Sequence, residues 1–271
     1  MVNSAAAVSA SAIQIADVML QNSAHNLANA RTTSFHRDDL VATNLVYEDI
    51  VTGGGGPVGQ TELGIPHVQV GSGVRVAAVL QSQQNGTPEP TKNQLDIYIN
   101  GAGYLQVDLG NGLVGYTRAG NLKVDEEGLL RTAGDYPLMD NITIDMTKYS
   151  SVIIDKSGRI YGVDPTQSEE SRHVELGQLT LWTFMNPQGL ERREDTVFIQ
   201  SPEAGTSVSN NPGNDLFGTI LQGYIERSTV DSSMELVSAI NIQKYSNANA
   251  THLRLAQDMD KNNLQQISTA A

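Results

Sequence analysis

The sequence predicts an α+β protein in which long N- and C-terminal helices pack as a coiled-coil-like pair and a mostly-β middle domain lies between them. Three observations predict it. Apolar residues recur at helical spacing at both ends, short apolar runs separated by Gly, Asn and Asp fill the middle, and Gly53-Gly54-Gly55-Gly56-Pro57 separates the first helical zone from the first strands. The chain therefore divides into a terminal helical domain made of residues 1–45 and 226–271, an extended connector over 46–80, and a β-rich domain over 81–225.

The N-terminal helix is read over residues 5 to 30, where Ile13, Leu20, Ala24 and Leu27 fall on one side of an Ala-rich segment. Thr32, Thr33 and Ser34 break it, because short hydroxyl side chains compete for the backbone and suit caps and turns. A second apolar run, 40–47, closes this helical zone. The 53–57 glycine run is flexible linker composition, and Gly71-Ser72-Gly73 follows it.

The middle reads as short strands at 95–99, 104–107, 113–116, 142–144, 152–154 and 179–184. Two turns share a pattern, Asp125-Glu126-Glu127-Gly128 and Asp155-Lys156-Ser157-Gly158. In each, Asp bonds its own backbone and Gly takes positive φ, which marks a hairpin. Along 181–184, Trp182 and Phe184 alternate with Leu181 and Thr183, so one face of that strand is core.

At the far end Asp231, Ser232 or Ser233 caps a helix that runs without Gly or Pro to about Ile267, a rod on the order of 50 Å. Its stripe of Val237, Ile240, Tyr245, Ala248, Leu255 and Met259 is interrupted by Asn241, Asn247, Asn249 and His252. So thin a stripe needs a partner helix or many identical neighbours.

Charge excludes several functions. The chain has 271 residues and a net charge of −13, which disfavours sequence-independent nucleic-acid binding and docking on anionic membranes. Residues 1–80, 81–225 and 226–271 carry −3, −9 and −1, so the ends are nearly neutral and suit close packing of like copies. There is no Cys, and the apolar runs are too short to span a bilayer. The first residues, Ala and Ser interrupted by Asn3 and Gln14, lack the basic and apolar regions of a cleaved signal peptide.

Enzymatic chemistry is not supported. The five histidines are scattered, no nucleophile-elbow or phosphate-loop pattern occurs, and Gly101-Ala102-Gly103 reads as a tight strand connection. The Asp125-Glu126-Glu127 run lacks metal-binding spacing and reads as a solvated hairpin tip. No cofactor, metal or catalytic residue is expected.

Four segments, in order along nearly the whole chain, resemble the rod and hook axial-protein family of the bacterial flagellum, in its distal-rod branch. Residues 26–37, NLANARTTSFHR, resemble the signature NxANxxTxGFKR, with Ser34 at the Gly and His36 at the Lys. Tyr116-Thr117-Arg118-Ala119-Gly120 with the turn at 125–130 is similar to a YTRxG…DxxGxL hairpin. Residues 177–187 and 221–228, GQLTLWTFMNP and LQGYIERS, complete the match. In the last helix the pattern QRAYExN becomes QKYSNAN, which moves the aromatic Tyr245 one place, about 100° around the helix.

The resemblance implies a structural subunit that polymerises helically into a hollow tube, the distal rod of the flagellar basal body, transmitting torque from motor to hook. It implies an inner lining of terminal helices, an outward β domain, and location in the basal body across the periplasm towards the outer membrane. Implied partners are further copies of the chain, proximal rod proteins, the hook protein, the surrounding basal-body ring proteins and the type III export apparatus, which takes no cleaved signal; nucleic acid and membrane insertion are not implied. The expected assembly positions are Ile13, Leu20, Leu27, Asn29, Phe35, Val237, Ile240, Tyr245, Leu255 and Met259. A proximal rod or hook subunit, or a cell-wall glycan-active β domain, are the alternatives.

Overall fold

A computed structural model of the chain describes residues 2–50, 68–167, 172–194, 196–214 and 216–270. The 53–57 glycine run, expected as a flexible connector, lies outside the described residues. The chain forms two compact units, one of Met1–Leu27, Asp38–Leu80 and Asp231–Ala271, the other of Ala28–Arg37 and Gln81–Val230.

The first unit holds both long helices, α1 (Val2–Ala28) and α2 (Ser232–Ala270). Asp231 caps α2, its Oδ1 accepting from the Ser233 and Met234 amides at 2.8 and 3.3 Å. With no Gly or Pro to stop it, α2 continues for 39 residues, nearly 60 Å at the helical rise.

The run at 40–47 is not helix. Asp38–Asn44 is a strand, β1, followed by β2 (Tyr47–Ile50), β3 (Val68–Gly71) and β4 (Val74–Gln81). β1 pairs with β4, whose side chains alternate in exposure, and β2 pairs antiparallel with β3. The cause lies in α1: Asn26 donates to the Asp38 carbonyl at 2.9 Å and accepts from the Asp38 amide at 3.0 Å, while Asn22 donates to the same carbonyl at 2.7 Å. A side-chain amide thus takes both hydrogen bonds of a strand residue, and β-branched Val41 and Thr43 suit the extended state. The 46–80 stretch expected as a connector therefore contains three strands among its described residues.

The second unit is β-rich: β5 (Pro88–Pro90), β6 (Ile97–Asn100), β7 (Tyr104–Asp108), β8 (Val114–Thr117), β9 (Leu122–Val124), β10 (Leu130–Thr132), β11 (Ser151–Ile154), β12 (Arg159–Val163), β13 (His173–Gln178), β14 (Leu181–Phe184), β15 (Glu191–Glu194), β16 (Val197–Ile199), β17 (Ser207–Asn210), β18 (Thr219–Gln222) and β19 (Tyr224–Glu226). Its largest sheet runs β15-β16-β8-β7-β14-β17, and β11-β12-β13 forms a three-stranded sheet. The two Asp-to-Gly turns close the β9–β10 and β11–β12 hairpins, with Gly128 and Gly158 at φ 84° and 78°. Residues 142–144, expected as a strand, make only an isolated bridge between Leu129 and Thr143; Ile142 and Ile144 are nevertheless buried core.

Both faces of β14 are covered. Leu181 enters the main core with Ile97, Ile99, Leu105 and Ile160, whereas Phe184 and the half-buried Trp182 join a second cluster of Tyr104, Tyr116 and Phe198. The Tyr116 and Phe184 rings meet edge to face at 4.8 Å between centroids, a favourable quadrupole geometry.

Candidate assembly interface

The four segments that carry the family resemblance do not form a surface patch. Ser34 and His36 from the first, Arg118 from the second and Glu226 from the last converge on one buried knot in the second unit. Glu226 is 1% exposed. Its Oε2 accepts from Arg118 Nε at 3.0 Å, its Oε1 accepts from the Gly86 amide at 2.8 Å and lies 3.2 Å from His36 Nε2, and its carbonyl accepts from the Ser34 amide at 2.8 Å. His36 Nδ1 faces the Ser82 carbonyl at 2.9 Å.

Arg118 satisfies the rest of its fork on backbone. Its terminal nitrogens donate to the carbonyls of Ile99, Gly101 and Gly103 at 3.0, 3.1 and 2.8 Å, which pins the tight β6–β7 connection. Burial pushes the Glu226 carboxyl up, but the His36 ring, the Arg118 guanidinium and the Gly86 amide outweigh it and hold the group below the ordinary carboxylate range.

Ser34 sits at φ 56°, where L side chains are strained and glycine is at ease. This accounts for the Gly in the resembled signature; here the Ser34 hydroxyl donates to the Arg118 carbonyl at 3.0 Å in partial compensation. Phe35 is fully buried in the same unit, with the Arg192 guanidinium 5.2 Å from its ring centroid. Of the expected assembly positions it is the fully buried one in the single chain. Asn29, half-buried, holds the turn after α1 by accepting from the Thr32 hydroxyl at 3.0 Å.

The remaining expected positions lie in the first unit. On α1 the buried face is Ala12, Ile15, Ala16, Ser23 and Asn26, and Ile13, Leu20 and Leu27 flank it half-buried. On α2 the Glu235 side chain turns inward, where the Ser23 hydroxyl donates to its Oε2 at 2.7 Å; Ile242 and Leu253 are half-buried and Ala256 is buried. Val237, Ile240, Tyr245, Leu255 and Met259 are 49–59% exposed. At about 100° per residue, most of this stripe falls on a different side of α2 from Glu235, Ile242 and Leu253. The seam residues are thus displayed and not spent on α1. Leu255 and Met259, with Ala5, Val8 and Val70, border an apolar groove of about 460 Å³.

Among the described residues no cluster of three or more metal-ligating side chains occurs, and no helix is long and apolar enough to cross a membrane. The Asp125 carboxylate is engaged by Arg131 at 2.6 Å and by the Glu126 amide at 2.7 Å, as a hairpin tip requires.

Residues 98–162, from β6 to β12, match the flagellar hook protein FlgE/F/G D1 domain family. The chain is 32% identical over 235 residues to the flagellar basal-body rod protein FlgG of Caulobacter vibrioides, covering 87% of this chain and 88% of that one. It is 30% identical over 256 residues to the protein of that name from Agrobacterium fabrum, covering 94% and 96%. Similarity to the flagellar hook protein FlgE of Escherichia coli, 36% over 89 residues, covers 33% of this chain and 22% of the hook protein.

Proposed function

The chain belongs to the FlgG family of flagellar basal-body rod proteins, and from that premise we propose that it polymerises helically into the hollow distal rod that carries torque from motor to hook. It is a structural subunit of the basal body, and its work is done by surfaces that meet other copies. The observation that carries this reading is the exposed apolar stripe of α2, surface that costs free energy in water and gains it when another helix covers it. In the assembled tube the stripe completes coiled-coil-like packing among terminal helices, and the more acidic β domain faces outward.

Proximal rod proteins and the hook protein are the neighbours at either end of such a tube; ring proteins surround it, and the type III export apparatus delivers the chain across the inner membrane. No catalytic role is assigned. A rod subunit is favoured over a hook subunit because the rod similarity runs along most of the chain and the hook similarity along a third of it.

Polymerisation of the purified chain, followed by imaging, tests the reading. Straight tubes are expected. Leu255→Asp, at a position exposed in the single chain, should abolish them while leaving the monomer's thermal transition within about 0.5 kcal/mol, because the charge becomes buried only on assembly. Tubes that form equally well from that variant would remove α2 from the interface.

A further inference from the structure

Three stretches of the second unit lie beside points where the chain changes unit, after Arg37, after Leu80 and after Val230. They are bound to one another. The Ser34 amide donates to the Glu226 carbonyl at 2.8 Å and the Thr229 amide to the Phe35 carbonyl at 3.0 Å; the Ser82 amide donates to the Arg37 carbonyl at 2.8 Å and the Arg227 amide to the Thr87 carbonyl at 3.0 Å. His36 stands where the three meet, its Nδ1 facing the Ser82 carbonyl at 2.9 Å and its Nε2 the Glu226 carboxylate at 3.2 Å.

Both ring nitrogens therefore face groups that only accept. A carbonyl oxygen at 2.9 Å requires a hydrogen on Nδ1. A neutral ring would then turn the bare lone pair of Nε2 towards an ionised carboxylate. His36 and Glu226 are 5% and 1% exposed, and among the described residues Nε2 has no other polar partner. Like partial charges so close repel, and more strongly away from water. Moving the hydrogen onto Glu226 instead would forfeit the charge-assisted bond from Arg118 at 3.0 Å. The imidazolium form satisfies every group.

Few charged or titratable groups surround the ring. Glu226 is the anion; Arg118 bonds its other oxygen, the Arg192 guanidinium comes within 3.5 Å of the His36 carbonyl, and Arg37 is next in sequence. Tyr98 donates its hydroxyl to the Gly86 carbonyl at 3.0 Å, and the Arg118 guanidinium lies 5.8 Å from the Tyr104 ring centroid. Cations outnumber the anion, so the extra proton is held by one contact and is free to leave as pH rises. A cavity of about 270 Å³, lined by His36, Arg118, Tyr104, Gln83 and Asn85 among others, gives it a way out.

We propose that His36 is a proton-operated latch: doubly protonated, it ties together the three stretches at which the chain passes between its units, and its deprotonation loosens them. Histidine exchanges its proton between about pH 5 and 8, so the latch works near neutrality. Its contribution to stability is complete on the acid side and is lost as pH rises through the titration, opposite in sign to that of Glu226.

Urea unfolding of the full-length chain at about pH 5.5 and about pH 8 tests it. On that rise the folding constant should fall roughly tenfold more in the unsubstituted chain than in His36→Gln, which keeps a neutral donor. His36→Lys, a permanent cation over this range, should show the weak pH dependence of His36→Gln. An equal fall in the unsubstituted chain and in His36→Gln overturns the latch. Should neither variant fold, nitrogen NMR of the ring decides, in a chain whose His25, His67, His173 and His252 are replaced by Gln. Both His36 nitrogens should carry hydrogen at about pH 5.5 and only Nδ1 at about pH 8. A bare Nε2 at the acid end overturns the proposal, and hydrogen on both nitrogens at either pH does so too, since His36 would then be a permanent cation.

Discussion

Glu226 is held by groups from three separate stretches of sequence, and this makes it the residue on which the second unit's stability turns. Arg118→Ala would leave its carboxylate without the paired cation, and a loss of about 3–5 kcal/mol in unfolding free energy is expected by urea denaturation. The same contacts set a pH dependence. Because the folded carboxyl titrates below its unfolded counterpart, its contribution is complete above the ordinary carboxylate range and is lost as pH falls through the depressed folded value. Glu226→Gln should flatten that part of the stability profile; an unchanged acid limb would assign the slope to other carboxylates. In the sequence Ser34, His36, Arg118 and Glu226 belong to separate motifs, and nothing local joins them. A lone charge in a strand-like, Gly-flanked context, as at Arg118, was the available signal, but one sequence does not pair it with a carboxylate over a hundred residues away.

At the level of elements, local chemistry reached different depths. The Asp231 cap, the length of α2 and the Asp-to-Gly hairpins were legible because capping and positive φ are satisfied within a few residues. β1 was not, since its strand state depends on Asn22 and Asn26 and on pairing with β4. The stripe on α2 was legible as a pattern, whereas the side chains that turn inward on the same helix, Glu235 and Ala256, carried no periodic hydrophobic signal. Gly120 illustrates close approach of segments: a Cβ there would stand 1.8 Å from the Ile97 carbonyl oxygen, whose strand β6 it abuts. Gly120→Ala should cost about 3 kcal/mol or more, read as a lowered denaturation midpoint of the β unit, while a value near zero would show that the two segments separate freely.

For the whole molecule, the contrast between its parts governs behaviour. The β unit has an extended buried core, but α2 exposes much of its apolar side-chain area, and a helix so thinly covered is protected mainly by what packs on it. In dilute monomer the amides of α2 should exchange far faster than those of β7, β8 and β14, and assembly should slow them to a comparable rate. Equal protection of both in the monomer would mean that the helix is complete without neighbours.

By itself the sequence determined the two terminal helices, the hairpin punctuation, the near-neutral ends and the family, because each is written in local pattern or in composition. The tertiary structure alone decided that the motifs meet at a buried Arg118–Glu226–His36 knot, that Phe35 is fully buried in the single chain, and that the apolar stripe of α2 is displayed. Those outcomes depend on residues far apart in the chain competing for the same space and the same hydrogen bonds, and no window of neighbouring residues contains that competition.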